Sequence, residues 1–175
     1  MTVKEISEVS DLSQGALDLV REDSTPSAYL ESLEKQELYR DAISFLAHKL
    51  PAEAGVKWSA ACVRELRAPE SRQQKDEPLD AVEQWIKAPG DPARWAAKEA
   101  ADKAAGGPSS LTAFAVFLSG TSISPPGNPD TPPPPYAAQK MIAGSVMVAV
   151  VSYEPQKAAE RYKRALAIGK ALDIG

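Results

Sequence analysis

Apolar side chains recur every three to four residues along most of the chain, which is the spacing of one face of an α-helix. Leu38, Ala42, Phe45 and Leu46 form the clearest of these stripes. No segment shows sustained alternation of apolar and polar positions with β-branched residues, the pattern that favours strands. The pattern therefore predicts an all-α protein, a compact bundle of about seven or eight helices.

Prolines and small polar residues predict where individual helices begin and end. Thr25-Pro26 and Asp91-Pro92 each combine a capping residue with a proline, which suits the first helical position because its missing N–H costs nothing there. Gly106-Gly107-Pro108 predicts the end of one helix. We expect Ser109 or Ser110 to cap the helix that follows.

The segment from residue 141 to 151 is apolar or small on every side. A helix of this kind has no solvent face, so we expect a buried central helix over about residues 136–152, around which amphipathic helices pack. Gly144 and Ser145 lie within it and would allow a neighbouring backbone to come close. The tryptophans are also expected to face the core: Trp58, Trp85 and Trp95.

Residues 1–24 have scattered apolar positions in an acidic background and are predicted to be a tail or a weak helix, before a single all-α domain over residues 25–175. The net charge of −4 argues against a general affinity for nucleic acid. The N-terminus lacks the features of a signal peptide, and the longest apolar run is about half of the roughly 20 residues that cross a bilayer. We therefore expect a cytoplasmic protein without membrane insertion.

Residue types that serve in catalysis are scarce. The chain has one histidine, His48, and one cysteine, Cys62, and the cysteine lies on an apolar stripe, where a core role is expected. No metal-binding spacing of Cys, His or acidic residues occurs, so no metal or cofactor is expected. Ser119, Thr121 and Ser122 supply hydroxyls but no base. The sequence thus predicts a non-enzymatic protein.

The unusual feature is a proline-rich loop over residues 120–135, which holds seven of the 15 prolines. Such a density keeps a chain extended, with little entropy to lose and no internal hydrogen bonds. The loop is interpreted either as a stiff connector or as a preformed surface that docks a protein partner. The docking interpretation predicts these partner-binding residues: Ser119, Gly120, Thr121, Ile123, Pro125, Pro126, Pro132, Pro133, Pro134, Pro135 and Tyr136.

Several segments resemble an uncharacterised bacterial domain-of-unknown-function family of small helical proteins. The resemblance covers about residues 38–175 and rests on a Trp-containing helix, an aromatic Ser-Gly segment, a polyproline run and a small-residue helix: Leu50–Arg64, Phe114–Pro126, Pro132–Pro135 and Ala143–Val146. Members of that family are often encoded near type VI secretion genes. The resemblance therefore implies an accessory, adaptor or chaperone role in secretion, and it implies no catalytic residue.

We therefore expect a protein-binding accessory of a bacterial secretion system, whose loop docks a secretion component or an effector. Two alternatives remain open. One is a small enzyme or small-molecule binder with a pocket between helices, near Ser119, Thr121 and Ser122. The other is an immunity-type inhibitor that presents its acidic N-terminal half to a basic toxin. The sequence does not predict the oligomeric state.

Overall fold

The computed structural model describes residues 1–172, which form α-helices joined by turns and one long loop. Ten α-helices and no strand occur in this range, which confirms the all-α prediction. In chain order the helices are α1 (Val3–Val9), α2 (Gln14–Leu17), α3 (Pro26–Lys35), α4 (Tyr39–Lys49), α5 (Ala52–Leu66), α6 (Glu77–Lys87), α7 (Asp91–Lys103), α8 (Pro108–Leu118), α9 (Ala137–Val151) and α10 (Ala158–Leu172). Single 3-10 turns occur at Pro69–Ser71 and Pro155–Lys157.

The predicted helix start is confirmed at α3, where Thr25 caps the helix with its side chain and Pro26 is the first helical residue. At α7 the capping residue is Gly90, and Asp91 and Pro92 are the first two helical residues, so the expectation that Asp91 caps this helix is wrong. The expectation that Ser109 or Ser110 caps α8 is wrong, because the proline before them takes the first helical position. The capping residue is Gly107, and both serines lie inside the first turn.

The N-terminal segment contains α1 and α2, and these two helices raise the number to ten from the seven or eight expected. Helix α1 begins with a capping box, in which the side chains of Thr2 and Glu5 each accept the backbone N–H of the other residue. Val3 and Ile6 are buried in the hydrophobic core, and α1 packs against α4. The apolar positions that look scattered in the sequence thus have a packing role. A domain boundary after residue 24 stays a prediction.

Helix α9 packs against α4, α5, α8 and α10. Its residues Ile142, Val146 and Val150 are buried. The expectation that it has no solvent face is wrong, because the surrounding helices leave one stripe uncovered. Lys140 and Val151 are exposed on that stripe and Gly144 and Met147 are partly exposed. A position of α9 at the centre of the bundle stays a prediction.

Hydroxyl groups join α5, α8 and α9 inside the core. Thr112 Oγ1 on α8 lies 2.7 Å from Ser59 Oγ on α5 and 2.8 Å from Ser145 Oγ on α9. Ser145 Oγ donates to the carbonyl of Pro108 at 2.7 Å. Ser59 can then donate to Thr112, and Thr112 to Ser145, so each of these three hydroxyls has a partner. A satisfied buried network of this kind favours one register of the three helices.

A glycine allows α10 to lie close to α5. Trp58 on α5 is fully buried, and its Nε1 donates to the carbonyl of Ala165 on α10 at 2.8 Å. A Cβ atom added at Gly169 would lie 2.8 Å from the indole of Trp58 and 2.7 Å from Leu46 Cδ2. The indole is buried and hydrogen-bonded, so it has little freedom to move away.

Replacing Gly169 by alanine should therefore destabilise the protein. Overpacking of a core costs about 1–3 kcal/mol, which outweighs the ~1 kcal/mol that alanine gains over glycine inside a helix. Gly144→Ala is the matched control, because the nearest atom to an added Cβ there is Leu111 Cδ1 at 3.9 Å. That variant should be more stable than the parent by about 0.5–1 kcal/mol.

Urea denaturation followed by circular dichroism checks both variants. Midpoints that move in the same direction by similar amounts would show that α10 does not press against the indole of Trp58.

Candidate functional site

The proline-rich loop between α8 and α9 folds back on itself. The N–H of Ile123 donates to the carbonyl of Thr131 at 2.7 Å, and the N–H of Asn128 donates to the carbonyl of Pro125 at 3.1 Å. Gly127 has a φ of +89°, as the third residue of a type II turn requires. The prediction of an extended loop without internal hydrogen bonds is therefore wrong here, because a Pro-Gly-Asn turn interrupts the prolines.

Ser122 closes this fold within the loop. Its side chain is buried, and Oγ accepts the backbone N–H groups of Ser124 and Thr131, both at 3.2 Å. A hydroxyl that bonds the N–H two residues further on is a known turn device, so Ser122-Ile-Ser124 carried a sequence signal for this role. The sequence pattern could not show the second bond, which crosses the loop to Thr131.

Removing the hydroxyl with Ser122→Ala should loosen the loop while leaving the helices intact. The amides of Ser124 and Thr131 each lose their acceptor, at about 1 kcal/mol per hydrogen bond, so their hydrogen exchange should accelerate about five- to tenfold. Exchange resolved by NMR measures this. Thr121→Ala removes an exposed hydroxyl next to it and serves as the control. Equal exchange rates in the two variants would contradict the assigned role of Ser122.

Arg94 on α7 holds the start of the loop. Its side chain is only 4% exposed, and Nη1 donates to the carbonyl of Phe117 at 2.7 Å, near the end of α8. Nε donates to Asp91 Oδ1 at 2.9 Å. A Cβ atom added at Gly120 would overlap the guanidinium, so the loop backbone passes directly over it. Gly120 therefore serves close packing, and Arg94 is an anchor that the sequence pattern did not reveal.

Tyr136 at the end of the loop lies against His48 on α4. Their ring centroids are 5.8 Å apart, and the backbone of Tyr136 is left-handed, with a φ of +58°. His48 Nδ1 lies 2.8 Å from the carbonyl of Ser44. A carbonyl only accepts, so Nδ1 carries the hydrogen and Nε2 is a bare acceptor. Nε2 is buried and has no hydrogen-bond partner among residues 1–172.

Burial shifts the pKa values of the single histidine and the single cysteine of the sequence. It lowers the pKa of His48, against the opposing effect of the hydrogen bond to the carbonyl of Ser44. It raises the pKa of the Cys62 thiol to about 12. A thiol in this state is protonated at neutral pH and is a poor nucleophile. Both shifts indicate groups that are packed into the core.

The lowered pKa of His48 predicts how stability depends on pH. The folded state binds the proton more weakly than the unfolded chain, whose histidine has a pKa of about 6.5. The unfolded state therefore takes up more protons below that value, and the free energy of unfolding should fall as the pH drops from about 6.5.

His48→Asn keeps a donor for the carbonyl of Ser44 but does not titrate. Its free energy of unfolding should fall less between pH 7 and pH 5 than that of the parent, as measured by urea denaturation across this range. An identical fall in both proteins would show that His48 does not cause the effect.

The structure places the predicted docking residues on one loop, but in two environments. The exposed ones are Thr121, Pro125, Pro126, Pro132, Pro134, Pro135 and Tyr136. The partly buried ones are Ser119, Gly120, Ile123 and Pro133. Ser119 Oγ donates to the carbonyl of Val116 at 2.8 Å and so ends α8. The first set presents a surface, and the second holds the loop in place.

The tryptophans divide between core and surface. Trp58 and Trp85 are buried, as predicted. Trp95 is partly exposed, which contradicts the expectation of a core position. Its ring packs edge-on against Phe117, with centroids 5.0 Å apart, beside the start of the loop. A surface tryptophan is a frequent energetic centre of protein interfaces.

A cleft of about 530 Å³ lies at the Tyr136 end of the loop, between the α1–α2 turn, α4 and α9. Its polar side chains are Asp11, Ser13, Arg40, Asp41, Ser44, His48 and Lys140. Its floor is Leu12, Ala143, Gly144 and Met147. None of Ser119, Thr121 and Ser122 lines this cleft, although the small-molecule alternative places its pocket near these residues. The uncovered stripe of α9 forms part of it.

Two classes of site are absent from the part of the chain that the structure describes. No three or more His, Cys, Asp and Glu side chains are grouped there as metal ligands would be. None of the helices over residues 1–172 combines the length and the apolar character that a membrane span needs.

No curated protein and no solved structure matches this chain. Residues 29–173 match a family described as a family of unknown function, DUF6931. The match begins in α3 and covers most of the chain, so the protein belongs to the DUF6931 family.

Proposed function

We propose that this protein is a non-enzymatic accessory that docks a partner protein through the proline-rich loop and Tyr136. The observation that carries the proposal is the construction of the loop. Arg94 and His48 hold its two ends, Ser122 closes it on itself, and most of its prolines are nevertheless exposed. A surface fixed in this way loses little conformational entropy on binding.

The exposed face of the loop has the chemistry of a polyproline ligand. Pro132, Pro134 and Pro135 are exposed, and Tyr136 next to them is 38% exposed. Ridges of this kind dock in aromatic-lined grooves. Trp95, near the other end of the loop, offers a second contact of the type that contributes most to interfaces. The partner should therefore present an aromatic groove that faces the proline ridge.

The groups that catalysis would need are used for structure. Ser119 Oγ ends α8, Ser122 Oγ closes the loop, and the Cys62 thiol is buried with a raised pKa. These observations support a binding role without catalysis. The resemblance to secretion-associated proteins supports a secretion component or effector as the partner, and a cytoplasmic adaptor or chaperone as the role.

Replacing Pro132–Pro135 with alternating Gly and Ser tests the proposal. The variant should capture less of the partner by at least tenfold, because the flexible segment must be ordered on binding. Affinity purification of the tagged protein from its own host, quantified by mass spectrometry, measures capture. Circular dichroism should show unchanged helical content.

The matched control replaces Gln73 and Gln74, in the exposed turn before α6, with Gly and Ser. This control should keep full capture. Unchanged capture by the Pro132–Pro135 variant would make the loop a connector and end the docking proposal.

A further inference from the structure

Tyr136 has a backbone conformation that its own side chain disfavours. Its φ of +58° lies in the left-handed region, which a bulky residue occupies only when its surroundings hold it there. The residue follows the last proline of the loop and precedes α9. Behind it, the N–H of Ala137 donates to the carbonyl of Pro134 at 3.1 Å, so the chain turns at Tyr136. If the support of this turn is lost, the end of the loop can become extended.

The ring of His48 is part of that support. It packs against the ring of Tyr136 at a tilt of 48°, with the centroids 5.8 Å apart. The histidine is 4% exposed, whereas the tyrosine is 38% exposed. One face of Tyr136 therefore depends on the position of a buried imidazole.

The imidazole of His48 suits this position only in its neutral form. Nδ1 donates to the carbonyl of Ser44 at 2.8 Å, and the buried Nε2 has no hydrogen-bond partner among residues 1–172. A proton added at Nε2 would create a buried positive charge and a buried N–H without an acceptor, and both are costly. Burial accordingly lowers the pKa of His48. The protonated ring is stable only where it reaches water.

The cleft of about 530 Å³ beside the ring provides that access, since His48 is one of its lining residues. The charged groups that share it are two on α4, one on the α1–α2 turn and one on α9: Arg40, Asp41, Asp11 and Lys140. The two on α4 lie about two helical turns before the histidine. Asp11 raises the pKa of His48 and Lys140 lowers it, while they pair with each other at 3.0 Å. A ring that turns into the cleft meets solvent and the Asp11 carboxylate but leaves Tyr136.

We propose that His48 is a pH-sensitive switch for the Tyr136 end of the proline-rich loop. In the closed state the neutral ring packs against Tyr136 and holds that end in place. Proton uptake turns the ring into the cleft, and the backbone of Tyr136 then becomes extended like the prolines before it. This inference rests on the proposed docking function, because the released segment is the one that contacts the partner.

Proton linkage gives the direction and the size of the effect. The open state exposes the ring, so its pKa returns to about 6.5, whereas burial keeps the pKa of the closed state lower. Protons therefore bind the open state more tightly, and acid favours opening. Between pH 7.5 and pH 5.5 the opening equilibrium constant can rise by up to about tenfold, which is the limit when only the open state is protonated.

The test is an NMR titration of the full chain without a partner. His48 is the only histidine, so its ring signals report its protonation directly. The ring signals of Tyr136 should shift with the same midpoint. The protection factor of the Ala137 amide should fall by about five- to tenfold from pH 7.5 to pH 5.5. The amide of Ile123, which is bonded to Thr131 elsewhere in the loop, should keep its protection factor.

Two exposed residues of the cleft offer a matched pair of variants. Asp11→Asn leaves Lys140 near the ring and should move the midpoints of His48 and Tyr136 together to lower pH. Lys140→Gln leaves Asp11 near the ring and should move both midpoints to higher pH. Asparagine suits the left-handed backbone at residue 11, where φ is +49°, so the first variant should fold.

His48→Asn does not titrate and should remove the pH response of both Tyr136 and Ala137. Tyr136 signals that do not follow the midpoint of His48 would overturn the proposal. A fall in Ala137 protection that persists in His48→Asn would also overturn it. An equal fall at Ile123 and Ala137 would do the same, because it would show a general loosening in acid.

The switch proposal and the docking proposal fail separately, because the titration needs no partner. Normal partner capture by the Pro132–Pro135 variant would end the docking role and leave the response of Tyr136 to His48 standing. A Tyr136 end that ignores the protonation of His48 would end the switch and leave the capture result untouched.

Discussion

The hydrogen-bonded hydroxyls of Ser59, Thr112 and Ser145 are the contact on which the rest of the structure depends. They join α5, α8 and α9 to one another in the core, and the series of hydrogen bonds ends at the carbonyl of Pro108. Sliding any of the three helices would leave a buried hydroxyl without a partner, at a cost of about 1–3 kcal/mol. The network therefore favours one arrangement of α8 and α9.

That arrangement determines the geometry of the proline-rich loop, because α8 ends where the loop starts and α9 begins where it stops. The side chains that hold the loop come from helices packed around this pair. Arg94 reaches the start from α7, and His48 meets Tyr136 from α4. Prolines restrict the chain between these anchors, and Ser122 ties its two arms together. Local stiffness and anchoring at the ends act together to fix the exposed surface.

Much of the fold follows from patterns within single segments. The capping residue Thr25 and the proline after it predicted where α3 begins, and the density of prolines identified the loop. The role of Arg94 could not be predicted in this way. It depends on contact with Gly120, which lies far along the chain, and nothing within the sequence of α7 indicates it. The contact of His48 with Tyr136 and the cleft beside it depend on tertiary packing for the same reason.

The uncovered stripe of α9 shows a different limit of sequence patterns. An apolar composition predicts that a helix is buried on average, but it does not show how many neighbouring helices cover it in the fold. Met147 stays partly exposed because α4 and the α1–α2 turn stand away from it, and the cleft occupies the space between them.

Backbone ¹⁵N relaxation of the loop amides shows whether the proline-rich loop is a fixed surface. The structure predicts order parameters at Ile123, Gly127 and Thr131 close to those of the helices, about 0.85. Order parameters below about 0.6 across the loop, with rigid helices on either side, would show that the loop is flexible and not a fixed surface.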